Sequence, residues 1–187
     1  MLGIGVPVSA FVRTILGLAT IKVAFGGLVF VAFSQGATAK PFPAAVFVLL
    51  MLVFGGAAAF LVFASQGDHR AVYLGVVFAL TAATFADPLA QNVGKLLPLE
   101  LGPGRALLSS FYPEAFLPYF VWLFYRDFPR GFASPAINRI FRVGIQLSLF
   151  VGIALFAANA ALLFMPVADE SSGLAAFVRL FDRRAEV

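Results

Sequence analysis

Chemistry in a sequence this apolar has few side chains to work with. Lys22 is ionisable and lies inside an apolar stretch, and Glu114 is the carboxylate with a plausible membrane depth. An ionisable group inside the membrane is by default a candidate for function. Lys22 sits about 12 Å beyond Thr14 at 1.5 Å per residue. A lysine stem can reach back much of that way toward the headgroups, so snorkelling is the leading reading and an ion-pair or ligand role the alternative. Glu114 opens the apolar run Ala115 to Tyr125 and is expected near the outer interface. A proton relay through it would need partners at its depth, and the sequence offers Lys22 alone, on a distant span. Gln146, Ser148 and Asn159 add uncharged polarity to the last apolar stretch.

Other chemistry is thinly supplied. His69 is the single histidine and falls in Asp68-His69-Arg70, where it reads as a solvated turn residue able to titrate near neutral pH. Cysteine is absent, which excludes thiol catalysis, disulfides and Cys-ligated metal centres. No GxSxG, GxxxxGK or HExxH motif occurs. Asp169-Glu170 is an acidic pair without a third ligand for a cation. The expectation is a protein that is not an enzyme and holds no cofactor or metal.

The elements that must position these residues follow from composition. The chain has 187 residues, 61% of them apolar and 12% charged, with a mean hydropathy of +0.98. A small soluble body has too much surface to hide such an excess, so the bilayer is its natural solvent. A spanning helix needs about 20 mostly apolar residues. Five stretches approach that length: 15–33, 44–64, 71–90, 107–125 and 143–165. The fourth is interrupted by Pro113, Glu114 and Pro118, which neighbouring helices can accommodate. The first charge is Arg13, so the N-terminal stretch reads as a retained span and not as a signal peptide. The predicted fold is all-α: one integral membrane domain, a polytopic bundle of about five spans.

With the N-terminus inside, Arg13, Lys22, Arg70, Arg126, Arg130, Arg139 and Arg142 fall on the cytoplasmic side, against Lys40, Lys95 and Arg105 outside. This bias obeys the positive-inside rule and favours five crossings. The net charge of +4 therefore reports orientation and not affinity for nucleic acid. Arg126, Arg130, Arg139 and Arg142 would form a basic cytoplasmic turn. Beyond the last span, Leu174, Phe177, Val178 and Phe181 repeat at helical spacing, and Ser172 can cap the stripe. This predicts a C-terminal amphipathic helix over 172–184, lying on the outer membrane face. The arginines of that tail also fit a chain in which a further span follows.

Small residues mark faces for close helix approach. Gly144, Ser148 and Gly152 recur every fourth position, as do Gly55 and Ala59. Such faces serve packing within the chain, association with a protein partner or self-association. Tyr112, Tyr119, Trp122 and Tyr125 cluster around the fourth span, as interfacial anchors do.

The segment AFLPYFVWLFYRDFPR (115–130), the following Arg139 and Arg142, and ALFAANA (154–160) resemble the N-terminal multi-span membrane region of bacterial signalling proteins, upstream of histidine kinase or serine phosphatase output domains. There an aromatic span ends in a basic Phe-Pro turn, as Arg126 to Arg130 does here. The resemblance covers mainly residues 107–165 and carries no catalytic residue. It implies a non-catalytic sensing and anchoring region in the bacterial inner membrane, truncated before its output domain. The competing reading is a small accessory subunit of a multi-subunit membrane complex. A small transporter ranks last, because only one span is broken.

Overall fold

The computed structural model describes residues 9–34, 42–88, 111–127 and 134–161, and every regular element among them is helical. In chain order these are α1 (Ala10–Ser34), α2 (Phe42–Ala64), α3 (His69–Thr84), a 3₁₀ turn (Pro113–Phe116), α4 (Leu117–Asp127) and α5 (Pro135–Ala161). Four helical stretches are long and apolar enough to cross a membrane: Ala10–Leu28, Ala45–Ala64, His69–Pro88 and Pro135–Ala160. The expected tail helix over 172–184 lies outside the described residues.

Helix starts follow local chemistry. Ser9 caps α1, its hydroxyl accepting from the Val12 amide at 3.3 Å. Asp68 caps α3 by accepting from the Arg70 amide at 3.0 Å. The α2–α3 reversal is tight: Gln66 and Gly67 adopt φ of 45° and 88°, and the Asp68 amide donates to the Ser65 carbonyl at 2.7 Å. Pro135 opens α5, where a missing N–H is harmless. Hydroxyls inside the apolar helices satisfy themselves: Thr14, Thr20 and Thr81 each donate to the carbonyl four residues back, at 3.0, 2.8 and 2.8 Å. In a medium without water this internal bonding is what makes them tolerable.

Helix α3 is the centre of the bundle, contacting α1, α2, α4 and the 3₁₀ turn. Val76, Leu80, Ala83, Ala19 and Phe120 are fully buried around it. Phe11 closes the α1–α4 side, with ring centroids 5.4 Å from Phe116, 5.8 Å from Tyr119 and 6.1 Å from Phe120. Helices α2 and α5 flank this core and turn large apolar side chains outward, among them Leu52, Phe60, Phe63, Leu147 and Phe150; Phe63 is 87% exposed. Such faces belong in lipid, where side chains meet a solvent as apolar as themselves.

Three expectations change. The stretch 107–125 is not one continuous helix over its described part: it is the 3₁₀ turn followed by the 11-residue α4. Pro113 and Pro118 each fall where no intrahelical N–H is needed, in the turn and in the first turn of α4, which fixes the break between them. The supposed basic turn is largely helical. Arg126 belongs to the last turn of α4, and Arg139 and Arg142 ride on the first turns of α5, which begins well before Val143; Arg130 lies outside the described residues. Ala59 does not face the bundle, whereas Gly55 is half-buried on the packed side of α2. Nothing lies within 4 Å of a Cβ built on Gly55, and Ala59 is exposed. The packed face of α2 carries Met51, Gly55 and Ala58 at i, i+4 and i+7, with Met51 and Ala58 buried.

Candidate functional site: a buried ion triad

Lys22 is buried inside the bundle and paired. Its ammonium Nζ lies 2.6 Å from Asp87 Oδ1 and 2.7 Å from Glu114 Oε1, so one cation bridges carboxylates from two other parts of the chain. The Lys22 and Glu114 side chains are 1% and 2% exposed, whereas Asp87 retains 22%. The Tyr112 ring stands 5.9 Å from Nζ, within cation–π range.

Each member is held by a different device. Lys22 occupies the middle of α1, where the neighbouring turn carries Gly26. A Cβ at Gly26 would come within 2.9 Å of the Ala86 Cβ and 3.2 Å of the Met51 methyl. Glycine thus lets α1 approach the end of α3 closely enough for the ammonium to meet Asp87. Asp87 follows the turn at Phe85, which keeps right-handed helical angles, and residues 86–88 continue as a helical turn with Ala86 fully buried. Glu114 is delivered by the 3₁₀ turn, whose four residues are all buried. Phe116, in that turn, packs against Gly152 of α5, where a Cβ would meet the ring at 2.9 Å and the Ala115 carbonyl at 3.0 Å.

The depth of the site follows from Met51, which is level with Gly26 and Ala86. Along α2 it is about 20 Å from Ala64 and about 9 Å from Ala45 at 1.5 Å per residue. The triad therefore lies within the apolar length of the bundle, nearer the end opposite the α2–α3 reversal. A charged group there persists only when paired. The pairing is incomplete. Although Oε1 faces the ammonium, neither carboxylate oxygen of Glu114 has a well-directed hydrogen-bond donor among the described residues. A cation already sits between the two carboxylates, so the arrangement is an ammonium site and not a metal cage.

The other polar candidates disperse. Gln146 is exposed on the lipid-facing side of α5, and Ser148 is half-buried. Asn159 is buried and donates to the Leu155 carbonyl at 3.0 Å. Gly144 meets Trp122, a Cβ there falling 2.8 Å from the indole, so the Gly144–Gly152 face is occupied by α4 and the 3₁₀ turn. At the far end of the bundle, His69 Nε2 lies 3.3 Å from Asp127 Oδ2, joining the start of α3 to the end of α4. Asp68, at the same end, takes both Arg70 Nε at 3.0 Å and Nη2 at 2.8 Å. These hydrogen bonds from the Arg70 side chain, and then that from its backbone, hold the Asp68 carboxyl below its ordinary range.

Sequence reasoning missed Asp87, which it treated only as the end of an apolar stretch. The available signal was an ionisable residue inside an apolar stretch of spanning length. No protein-family model, characterised protein or solved structure matches this chain.

Proposed function

We propose that this chain is a non-catalytic sensing and anchoring module of a bacterial signalling protein, embedded in the inner membrane, with the Lys22–Asp87–Glu114 triad as its switch. The observation that carries the reading is the triad itself. One buried ammonium ties α1, the end of α3 and the 3₁₀ turn together through contacts that are strong when formed and costly to leave half-made. A bundle joined this way has two discrete arrangements, triad closed and triad open, and a stimulus acts by favouring one of them. The output is the opposite end, where His69 of α3 pairs with Asp127 of α4 and α5 packs beside α4.

Two observations support the finer topology. Arg13, Arg70, Arg126, Arg139 and Arg142 all belong to helix ends on the side of the α2–α3 reversal, which favours that side, and the N-terminus, as cytoplasmic. The 3₁₀ turn and α4 together run from the level of the triad to the level of His69, which favours a broken fourth crossing and hence five spans. A second reading is an accessory subunit in a membrane complex or a self-associating one. It draws on Ala59, exposed on a side of α2 that the described bundle leaves open.

The absence of cysteine permits a clean test. Spin labels at Arg70→Cys and Arg139→Cys report the distance between α3 and α5 at the cytoplasmic end of the reconstituted chain. The switch reading expects Glu114→Gln to move or split that distance distribution. One unchanged distribution in the parent and in Glu114→Gln would mean a rigid anchor and leave the accessory-subunit reading.

A further inference from the structure

We propose that the cleft between α4 and α5 is a binding site for one anionic phospholipid, its acyl chain against Trp122 and its phosphate on Arg139. The cleft has a volume of about 360 Å³ and is lined by Trp122 of α4 and by Arg139, Ile140, Val143 and Gly144 of α5. Arg139 is its one charged lining residue.

The sequence of α5 makes the cleft. Gly144 brings that helix against the indole, where a Cβ would come within 2.8 Å of the ring. Ile140 and Val143, on the preceding turn, stay 60% and 54% exposed and leave the seam open. Leu147 and Phe150 continue the same exposed apolar ridge, at helical spacing, toward the middle of the membrane. Arg139 lies five residues before Gly144, about 8 Å nearer the end of the bundle. Inward along α5 the order is cation, then apolar groove, which is the order of head and chain in a phospholipid. Trp122 marks the level at which they join, as tryptophan does at membrane interfaces.

Charge selects the headgroup. At this end the described residues supply Arg13, Arg70, Arg126, Arg139 and Arg142 against Asp68 and Asp127. Both acids are engaged away from the cleft: Asp68 holds Arg70, and Asp127 holds Arg126 and faces His69. Arg126 follows Trp122 by one turn of α4, which sets a second cation about 6 Å below the indole, at a depth matching Arg139. A guanidinium receives phosphate through two parallel hydrogen bonds, and basic pockets between spanning helices take anionic headgroups. Arg142 is the internal control. It is exposed on the same helix, but about 60° around from Arg139 on the side away from Ile140 and Gly144, and it does not line the cleft.

This site needs the membrane but not the triad, so it stands apart from the switch reading. Trp122 is the single tryptophan of the chain and sits in the cleft, so it reports the occupant directly. The experiment reconstitutes the full chain in phosphatidylcholine vesicles holding a minor fraction of phosphatidylglycerol brominated on its acyl chains, or of phosphatidylcholine brominated identically. Bromine in the cleft quenches Trp122. The anionic lipid is expected to bind about fivefold more tightly than the zwitterionic one, the attraction of one arginine for an anionic surface. Arg139→Gln is expected to abolish that preference, Arg139→Lys to keep most of it and Arg142→Gln to leave it unchanged. Val143→Phe keeps every charge and narrows the cleft, and is expected to weaken quenching by the anionic lipid. Glycerol 3-phosphate added in solution is expected to relieve nothing, because the chain holds the lipid as much as the head does. Equal quenching by the two lipids, equal loss in Arg142→Gln and Arg139→Gln, or relief by glycerol 3-phosphate overturns the proposal. Absence of quenching by either lipid overturns it too, and assigns the cleft to a protein segment or a second copy of the chain.

Discussion

The Lys22 ammonium lies 2.6 Å from Asp87 and 2.7 Å from Glu114, with its side chain 1% exposed, and these contacts tie together three segments that share no sequence neighbourhood. Removing the cation is therefore unlike deleting a surface charge. Lys22→Met removes the cation that enclosed Glu114 and half-buried Asp87 share, and breaking a buried pair costs about 3–5 kcal/mol. The single Trp122, packed between α4 and α5, reports the loss by fluorescence during denaturant titration in mild detergent. Combining Lys22→Met with Glu114→Met and Asp87→Asn is expected to recover most of the stability, since neutral side chains need no partner charge. A triple variant no more stable than Lys22→Met would show that the side chains matter for packing and not for charge.

Gly144 and Gly152 make a sharper prediction about α5. A methyl at Gly144 meets the Trp122 indole at 2.8 Å, and one at Gly152 meets Phe116 at 2.9 Å and a backbone carbonyl at 3.0 Å. Gly144→Ala and Gly152→Ala are each expected to destabilise by about 1–3 kcal/mol, the usual range for overpacking. Gly152→Ala is the worse of the two, because a carbonyl on the buried turn yields less easily than a ring. Gly55→Ala, with open space around it, is expected to be neutral or slightly stabilising, since alanine is the better helix former. Melting curves of the three variants check the order.

Much of this architecture was readable in the residues, and the remainder had physical reasons to hide. Apolar runs of spanning length announce membrane helices because the bilayer imposes length and polarity together. The packed face of α2 was not readable. Its 23 residues carry no polar side chain to mark a lipid-facing side, so the small pair Gly55 and Ala59 was the only cue to a face, and only Gly55 falls on the packed one. The triad was hidden for another reason. Ion pairing between α1 and the 3₁₀ turn is a long-range fact, and the place of Glu114 at the start of the apolar run Ala115 to Tyr125 made it look interfacial when it sits on a buried turn. Lys22 alone is ambiguous, because a lysine stem can snorkel or pair with equal ease until its neighbours are known.

Asp68 links stability to acid. Hydrogen bonds from Arg70 hold its carboxyl below the ordinary range, so the ionised form is the one the folded chain prefers. The sign follows: its contribution is complete above the usual aspartate range and fades as the pH falls through the lowered value. Asp68→Ala removes the cap of α3 and is expected to cost about 1 kcal/mol near neutral pH. The difference between parent and variant should shrink as the pH falls into the acid range, because protonation weakens the cap of the parent as well. A difference that stays constant down to pH well below that range would show that the neutral carboxyl caps the helix as well as the carboxylate does.

Neighbouring alanines on α2 give the most direct check of how the helices are rotated. Ala58 is 3% exposed, and its carbonyl would lie 3.3 Å from a Cβ built on Gly75 of α3, with Val62 nearer still at 2.7 Å. Ala59 is exposed toward lipid. Ala58→Leu therefore forces α2 away from α3 and is expected to cost at least about 1–3 kcal/mol. Ala59→Leu adds an apolar side chain to an apolar solvent and is expected to leave the isolated chain's stability nearly unchanged. If the open side of α2 at Ala59 instead seats a protein partner, Ala59→Leu leaves the melting curve alone and abolishes cross-linking between Leu52→Cys chains, or between that cysteine and the partner, in native membranes. Equal destabilisation by both leucines would reject the rotation of α2 described here.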